Sequence, residues 1–62
     1  MITLTKLNGA NFSLNAELIE SIETTPDTVI TTQTGKKYVV QESEEIVIQK
    51  VITYKRLIYI PV

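Results

Sequence analysis

Residues 37–48 read Lys37-Tyr38-Val39-Val40-Gln41-Glu42-Ser43-Glu44-Glu45-Ile46-Val47-Ile48, and the fold turns on how the spacing of apolar residues changes within them. Up to Gln41 the apolar residues form a short, β-branched run, the pattern of a strand. Beyond Ser43 they recur at helical spacing: at about 100° per residue, Val47, Val51, Tyr54 and Ile58 fall on one stripe. Ser43 is a natural N-cap, because a hydroxyl there can accept from an orphaned N–H of the first turn. Glu44 and Glu45 then put negative charge at the positive end of the helix dipole, and Lys55 and Arg56 put positive charge near the other end. The segment 43–58 is therefore read as a C-terminal helix from about Glu44 to about Ile58. Pro61 prevents it from running much further, and 59–62 is an apolar tail.

Upstream, residues 1–41 break into short runs separated by turn chemistry. Nine Thr, nine Ile and six Val make 24 of the 62 residues β-branched, which favours strands. Ile2 and Leu4 alternate with Thr3 and Thr5, as in a half-buried strand. Asn8-Gly9 is a hairpin signal and predicts a type I′ turn, with the return through Asn11-Phe12-Ser13-Leu14. Asn15-Ala16-Glu17-Leu18 reads as one helical or 3₁₀ turn capped by Asn15. A third strand follows over Ile19 to Thr24, and its uneven apolar spacing predicts a bulge or strong twist. Thr25-Pro26-Asp27-Thr28 is expected to be a type I turn, since Pro supplies φ near −65°. Val29 to Thr32 and Lys37 to Gln41 complete five strands around the Thr34-Gly35-Lys36 turn. The expected fold is α+β: a single domain with a five-stranded antiparallel meander, as a strongly twisted sheet or partial barrel, followed by one C-terminal helix.

At 62 residues, apolar burial and chain-ordering entropy nearly cancel. There is no Cys and no His, so disulfides and thiolate or imidazole metal ligation do not help. Oligomerisation is the remaining common device. The helix offers surface for it. Besides the stripe named above, Ile48, Ile52 and Tyr59 form a second one displaced by about 100°, giving an apolar arc near 160° against the ~100° usual for one core. A short sheet is expected to cover one stripe only. Ile48, Ile52 and Tyr59, with Leu57 and Ile60 of the last turn and tail, are the candidate interface, and a homo-oligomer is expected. Pro26, Asp27, Lys36 and Lys37 are the candidate partner-facing turn residues.

Chemistry is scarce. Ser13, Ser21 and Ser43 have no His to activate them, and no Lys stands at a Ser-x-x-Lys spacing. The carboxylates cluster only on a strand and at a helix start, which gives no pair of contrasting environments for acid–base work. Gly35-Lys36 lacks the Gly five residues earlier that a phosphate loop requires. Asp27 is the single Asp, so no calcium loop is available. No catalytic residue, cofactor or metal is expected. Six basic residues against seven acidic ones make nucleic acid an unlikely partner; Lys36-Lys37 beside Tyr38 could form a small basic-aromatic spot, but the favoured reading is a solvated turn followed by a strand whose Tyr packs inward. No signal peptide and no membrane-spanning run is read from the sequence, so a cytoplasmic protein without membrane insertion is expected.

Taken in order, the segments carry a resemblance. Ile2-x-Leu4-Thr5-x-Leu7-Asn8-Gly9 is followed by Phe12-x-Leu14-Asn15-x-Glu17-Leu18-Ile19-Glu20-x-Ile22-Glu23 and Thr25-Pro26-Asp27-Thr28-Val29-Ile30. Gly35-Lys36-Lys37-Tyr38-Val39-Val40-x-Glu42-Ser43 and Tyr54-Lys55-Arg56 complete the string. This closely resembles the small flagellar FlbD-type family, the SwrD-like swarming-motility proteins, over residues 2 to about 56. The tail beyond Arg56 departs from the family's polar or charged ending. The resemblance implies a non-catalytic cytoplasmic accessory protein of bacterial flagellar motility or swarming. It further implies action through protein–protein contacts that support the flagellar motor or its stator. The alternative is a small β-rich nucleic-acid-binding regulator. Glu42, Glu44 and Glu45 speak against that, since they stand where such a regulator would place basic residues.

Overall fold

The computed structural model describes residues 1–59, the last of them by its backbone alone. Strands β1 (Ile2–Thr5) and β2 (Asn11–Leu14) form an antiparallel hairpin in which Ile2 faces Leu14 and Leu4 faces Phe12. Gly9 N–H donates to the Lys6 carbonyl at 2.9 Å, and Lys6 N–H donates to the Ala10 carbonyl at 2.8 Å. Gly9 has φ +91°, and no non-glycine residue among those described has positive φ. The hairpin is therefore closed by a type I turn with a glycine bulge, not the type I′ turn expected from Asn8-Gly9. The Asn8 side chain explains this: its Oδ1 accepts from Ala10 N–H at 3.0 Å, holding Asn8 in the ordinary backbone region.

A 3₁₀ turn over Ala16–Leu18 follows, with Asn15 Oδ1 accepting from Glu17 N–H as its cap. This turn redirects the chain before β3 (Ile19–Glu23), so β2 and β3 do not pair. Strands β3, β4 (Thr28–Thr32) and β5 (Lys37–Val40) form a separate antiparallel sheet in that order. The expected irregularity in β3 is present as a register shift between Ile19 and Ser21. The turn from β4 to β5 repeats the first hairpin's geometry: Gly35, at φ +86°, donates to the Thr32 carbonyl, and Thr32 N–H donates to the Lys36 carbonyl. The Thr25–Pro26 peptide is cis, and residues 25–27 form a bend without the hydrogen bond of the expected turn.

The five antiparallel strands thus stand in two sheets and close no barrel. They are joined where β1 ends. Lys6 bridges Val40, and Gln41 N–H donates to the Thr5 carbonyl at 2.8 Å. Glu42 clamps the same place, its carboxylate accepting from Thr5 N–H at 2.9 Å and from the Thr5 hydroxyl at 2.8 Å. Burial pulls the Glu42 pKa upward. The hydrogen bonds from Thr5 and from its own backbone, with the positive charge of Lys50, outweigh that, and the carboxyl titrates below its ordinary value.

Helix α1 (Glu44–Tyr59) begins where the period change placed it. The Ser43 hydroxyl accepts from Ile46 N–H at 3.3 Å, and the Ser43 carbonyl accepts from Val47 N–H at 3.0 Å. The core is formed by Ile2, Leu4, Leu14, Ala16, Ile30, Val40 and Val47, with Phe12, Ile19, Ile22, Tyr38, Val51 and Tyr54 packed around it. In β4, Thr28 and Thr32 are buried on the same face as Ile30, and the Thr32 hydroxyl is bonded to Thr34 Oγ1 at 2.9 Å. Among the described residues no buried side-chain polar atom lacks a partner.

Candidate interaction surface

The surface of interest is made by α1, because the sheets cover a single strip of it. Val47 is fully buried and Val51 and Tyr54 are half-buried, so the strip expected to face the core does so. On that strip Ile58 is exposed again, since the last turns run past the strands beneath. The remaining large apolar residues of the helix stay accessible: Ile46 48%, Ile48 39%, Ile52 37% and Leu57 79%.

These residues lie on two flanks, not one. At about 100° per residue, Ile48 and Ile52 sit about 100° and 140° to one side of Val47. Ile46 and Leu57 sit about 100° and 80° to the other side. Leu57, expected at the interface with the tail, lies on the opposite flank from Ile48 and Ile52. The Tyr59 side chain and Ile60, also expected at this interface, lie outside the described residues.

The Ile46–Leu57 flank is the wall of an open groove of about 350 Å³, whose other wall is the start of β1 at Met1, Ile2 and Thr3. Gln49, Lys50, Thr53 and Tyr54 complete its lining. Ile46 and Met1 were not among the sequence candidates. The signal was present at Ile46, which follows the N-terminal acidic pair and falls outside both stripes of the helical wheel. Only the placement of β1 against α1 turns it into part of a concavity.

The turn candidates do not form one patch. Pro26 and Asp27 precede β4, whereas Lys36 and Lys37 follow it across the next turn. Five residues of strand separate the two ends, about 13–17 Å at 3.3–3.4 Å per residue. All four side chains are exposed. Tyr38 does not join Lys36 and Lys37 in a basic-aromatic spot. Its ring stacks on Phe12 with centroids 5.2 Å apart, and Lys6 Nζ lies 5.6 Å over the Phe12 ring on that pair. Burial of aromatic surface against the core explains its inward position.

Among the described residues no group of three or more metal-ligating side chains comes together. Also among them, no helix is long and apolar enough to cross a membrane. Two apolar helix flanks, one of them grooved, lie on either side of the buried strip.

No curated protein and no solved structure matches this sequence significantly. A family model described as flagellar and swarming motility proteins matches residues 1–59, which includes both glycine turns, the Glu42 clamp and all of α1. The chain belongs to the FlbD family of flagellar and swarming motility proteins.

Proposed function

We propose that this protein is a non-catalytic, cytoplasmic accessory factor that serves flagellar motility through protein–protein contacts made by α1, supporting the motor or its stator. The membership in a motility family supplies the process. The observation that carries the mode of action is the exposure of Ile46, Ile48, Ile52 and Leu57 on both flanks of a single helix. Apolar side chains gathered in stripes on one exposed helix, rather than scattered singly, are the pattern of an interaction surface.

The test is complementation of a motility-deficient deletion strain. Ile48→Glu with Ile52→Glu disables one flank, and Ile46→Glu with Leu57→Glu the other, with protein level followed in each. Loss of swarming at normal protein level in at least one pair is expected. Full swarming with both pairs would overturn the reading. A gel shift at about 150 mM salt, where weak electrostatic binding is screened, gives the nucleic-acid reading its own trial.

A further inference from the structure

The two flanks of α1 differ in the charges that border them, and the difference specifies a partner. The centre of the Ile48–Ile52 flank lies about 120° from Val47. On one side of it, about 40–60° away, stand Glu44 and Lys55; on the other, at the same angular distance, stand Glu45 and Arg56. Each edge of the apolar stripe therefore carries one acid near the helix start and one base near its end. The Ile46–Leu57 flank has no such frame, being bordered by Gln49, Thr53 and Lys50.

We infer that the Ile48–Ile52 flank binds a second copy of this chain, α1 against α1 in antiparallel orientation about a two-fold axis near residue 50. In that arrangement Ile48 of one copy meets Ile52 of the other. On the two edges, Glu44 meets Lys55 of the second copy and Glu45 meets Arg56 of the second copy. All three pairings share one centre: the numbers of each pair sum to 99, 100 or 101. Complementarity to the helix dipole accounts for acids at the start and bases at the end, but not for their division between both edges of one stripe. A parallel pair would set acid against acid and base against base, a costly juxtaposition. An isologous two-fold contact of this kind is the commonest way a soluble chain assembles. Among the described residues, the Glu44, Glu45, Lys55 and Arg56 side chains make no ion pair within their own chain, so all four remain available.

This inference rests on the reading of α1 as a contact surface and names the occupant of one flank. It leaves the grooved Ile46–Leu57 flank, on the other side of the helix, for a different protein.

The experiment uses the absence of cysteine from the chain. Glu45→Cys and Arg56→Cys variants are oxidised mildly, alone and mixed in equal amounts. The mixture is expected to give a disulfide-linked dimer, because residue 45 of one copy lies beside residue 56 of the other. Either variant alone is expected to stay uncrosslinked, since equivalent residues then lie about 16 Å apart along the helices, well beyond disulfide reach. A second pair of variants tests the charges without chemistry: Glu44→Lys with Glu45→Lys, and Lys55→Glu with Arg56→Glu. By light scattering over about 5–500 µM, each is expected to weaken the dimer at least ~10-fold, and their equimolar mixture to restore it. Circular dichroism confirms that each remains folded.

Self-linking of Glu45→Cys alone would overturn the antiparallel arrangement. A monomer at every concentration, with no crosslink in the mixture, would overturn the dimer. If swarming is nonetheless lost in Ile48→Glu/Ile52→Glu, the contact reading survives that failure with a foreign occupant. A dimer that forms and dissolves as expected, together with full swarming of both Ile48→Glu/Ile52→Glu and Ile46→Glu/Leu57→Glu, supports this inference and overturns the contact reading.

Discussion

Removing the Glu42 clamp should be the most informative single change to the fold. The Glu42 carboxylate accepts two hydrogen bonds from Thr5, and those bonds fasten the end of β1 beside the junction of β5 and α1. Hydrogen bonds to charged groups contribute about 1.5–3 kcal/mol each, so two set a ceiling near 3–6 kcal/mol. Glu42 is only half-buried and water can replace part of what is lost, which brings Glu42→Ala to about 2 kcal/mol. A chain of this length has roughly 3–9 kcal/mol of total stability, so the loss is a large fraction of the whole. At roughly 4–8 °C per kcal/mol it corresponds to a fall in Tm of about 8–16 °C. Glu42→Gln, which keeps one acceptor oxygen and loses the charge, should cost about half as much.

The pH dependence gives the argument its sign. The folded pKa of Glu42 lies below the ordinary 4.5. Its contribution is therefore fully present above the unfolded value and is lost as pH falls through the folded one. Urea unfolding of wild type and Glu42→Gln, followed by circular dichroism at one fixed protein concentration, should show a constant gap from neutral pH down to about pH 5.5. The gap should narrow below about pH 4.5. A gap under about 0.3 kcal/mol at pH 7, or one unchanged down to about pH 3, would refute the clamp.

Two further predictions concern turns and core. Gly35→Ala places a Cβ in open space but on a backbone with φ +86°, so its cost is conformational, about 1 kcal/mol. Gly35→Asn should recover part of it in the same urea experiment, because Asn tolerates the left-handed region, and equal losses for both would contradict that account. Leu4 is completely buried between the sheets and the helix, and Leu4→Ala should cost about 3 kcal/mol, enough to leave a substantial unfolded fraction at 37 °C. A cooperative transition within about 1 kcal/mol of wild type would mean that the core collapses around the gap.

What could be read from the residues, and what could not, divides along physical lines. Local signals sufficed wherever a side chain bonds to its own backbone neighbourhood: Asn15 caps the 3₁₀ turn and Ser43 caps α1 as expected. Both hairpins were legible from their glycines, but the turn class at Asn8-Gly9 was not, because the Asn8–Ala10 bond competes with the type I′ backbone. The division into two sheets follows from the redirection of the chain at the 3₁₀ turn, which the residues did not reveal, and the junction that ties the sheets together depends on pairings between distant residues, Lys6 with Val40 and Thr5 with Glu42. Glu42 itself read as one more acid at a helix start. The opposite-flank position of Leu57 was implicit in helical spacing, yet the groove it lines needed the position of β1. Pro26 and Lys36 looked like neighbours in a list of turns, and one strand length separates them.

The length mismatch between α1 and its sheets links fold to function. Sixteen helical residues span about 24 Å, whereas strands of four or five residues span about 13–17 Å. The molecule is accordingly elongated, 39 Å along its longest axis against 23 and 18 Å. Along the core-facing strip the consequence appears residue by residue, from buried Val47 through half-buried Val51 and Tyr54 to exposed Ile58. The helix contains Ile46, Val47, Ile48, Val51, Ile52 and Ile58, residues with low intrinsic helix preference, so it depends on packing, which the sheets supply at Val47 and no longer supply at its last turns. Any partner that covers them stabilises the folded chain by mass action. On the contact reading proposed above, binding and folding are coupled at α1, and a loss of swarming has to be interpreted by position. At Leu4 it would report the fold, whereas at Leu57, whose side chain contributes little to the core, it would report the contact.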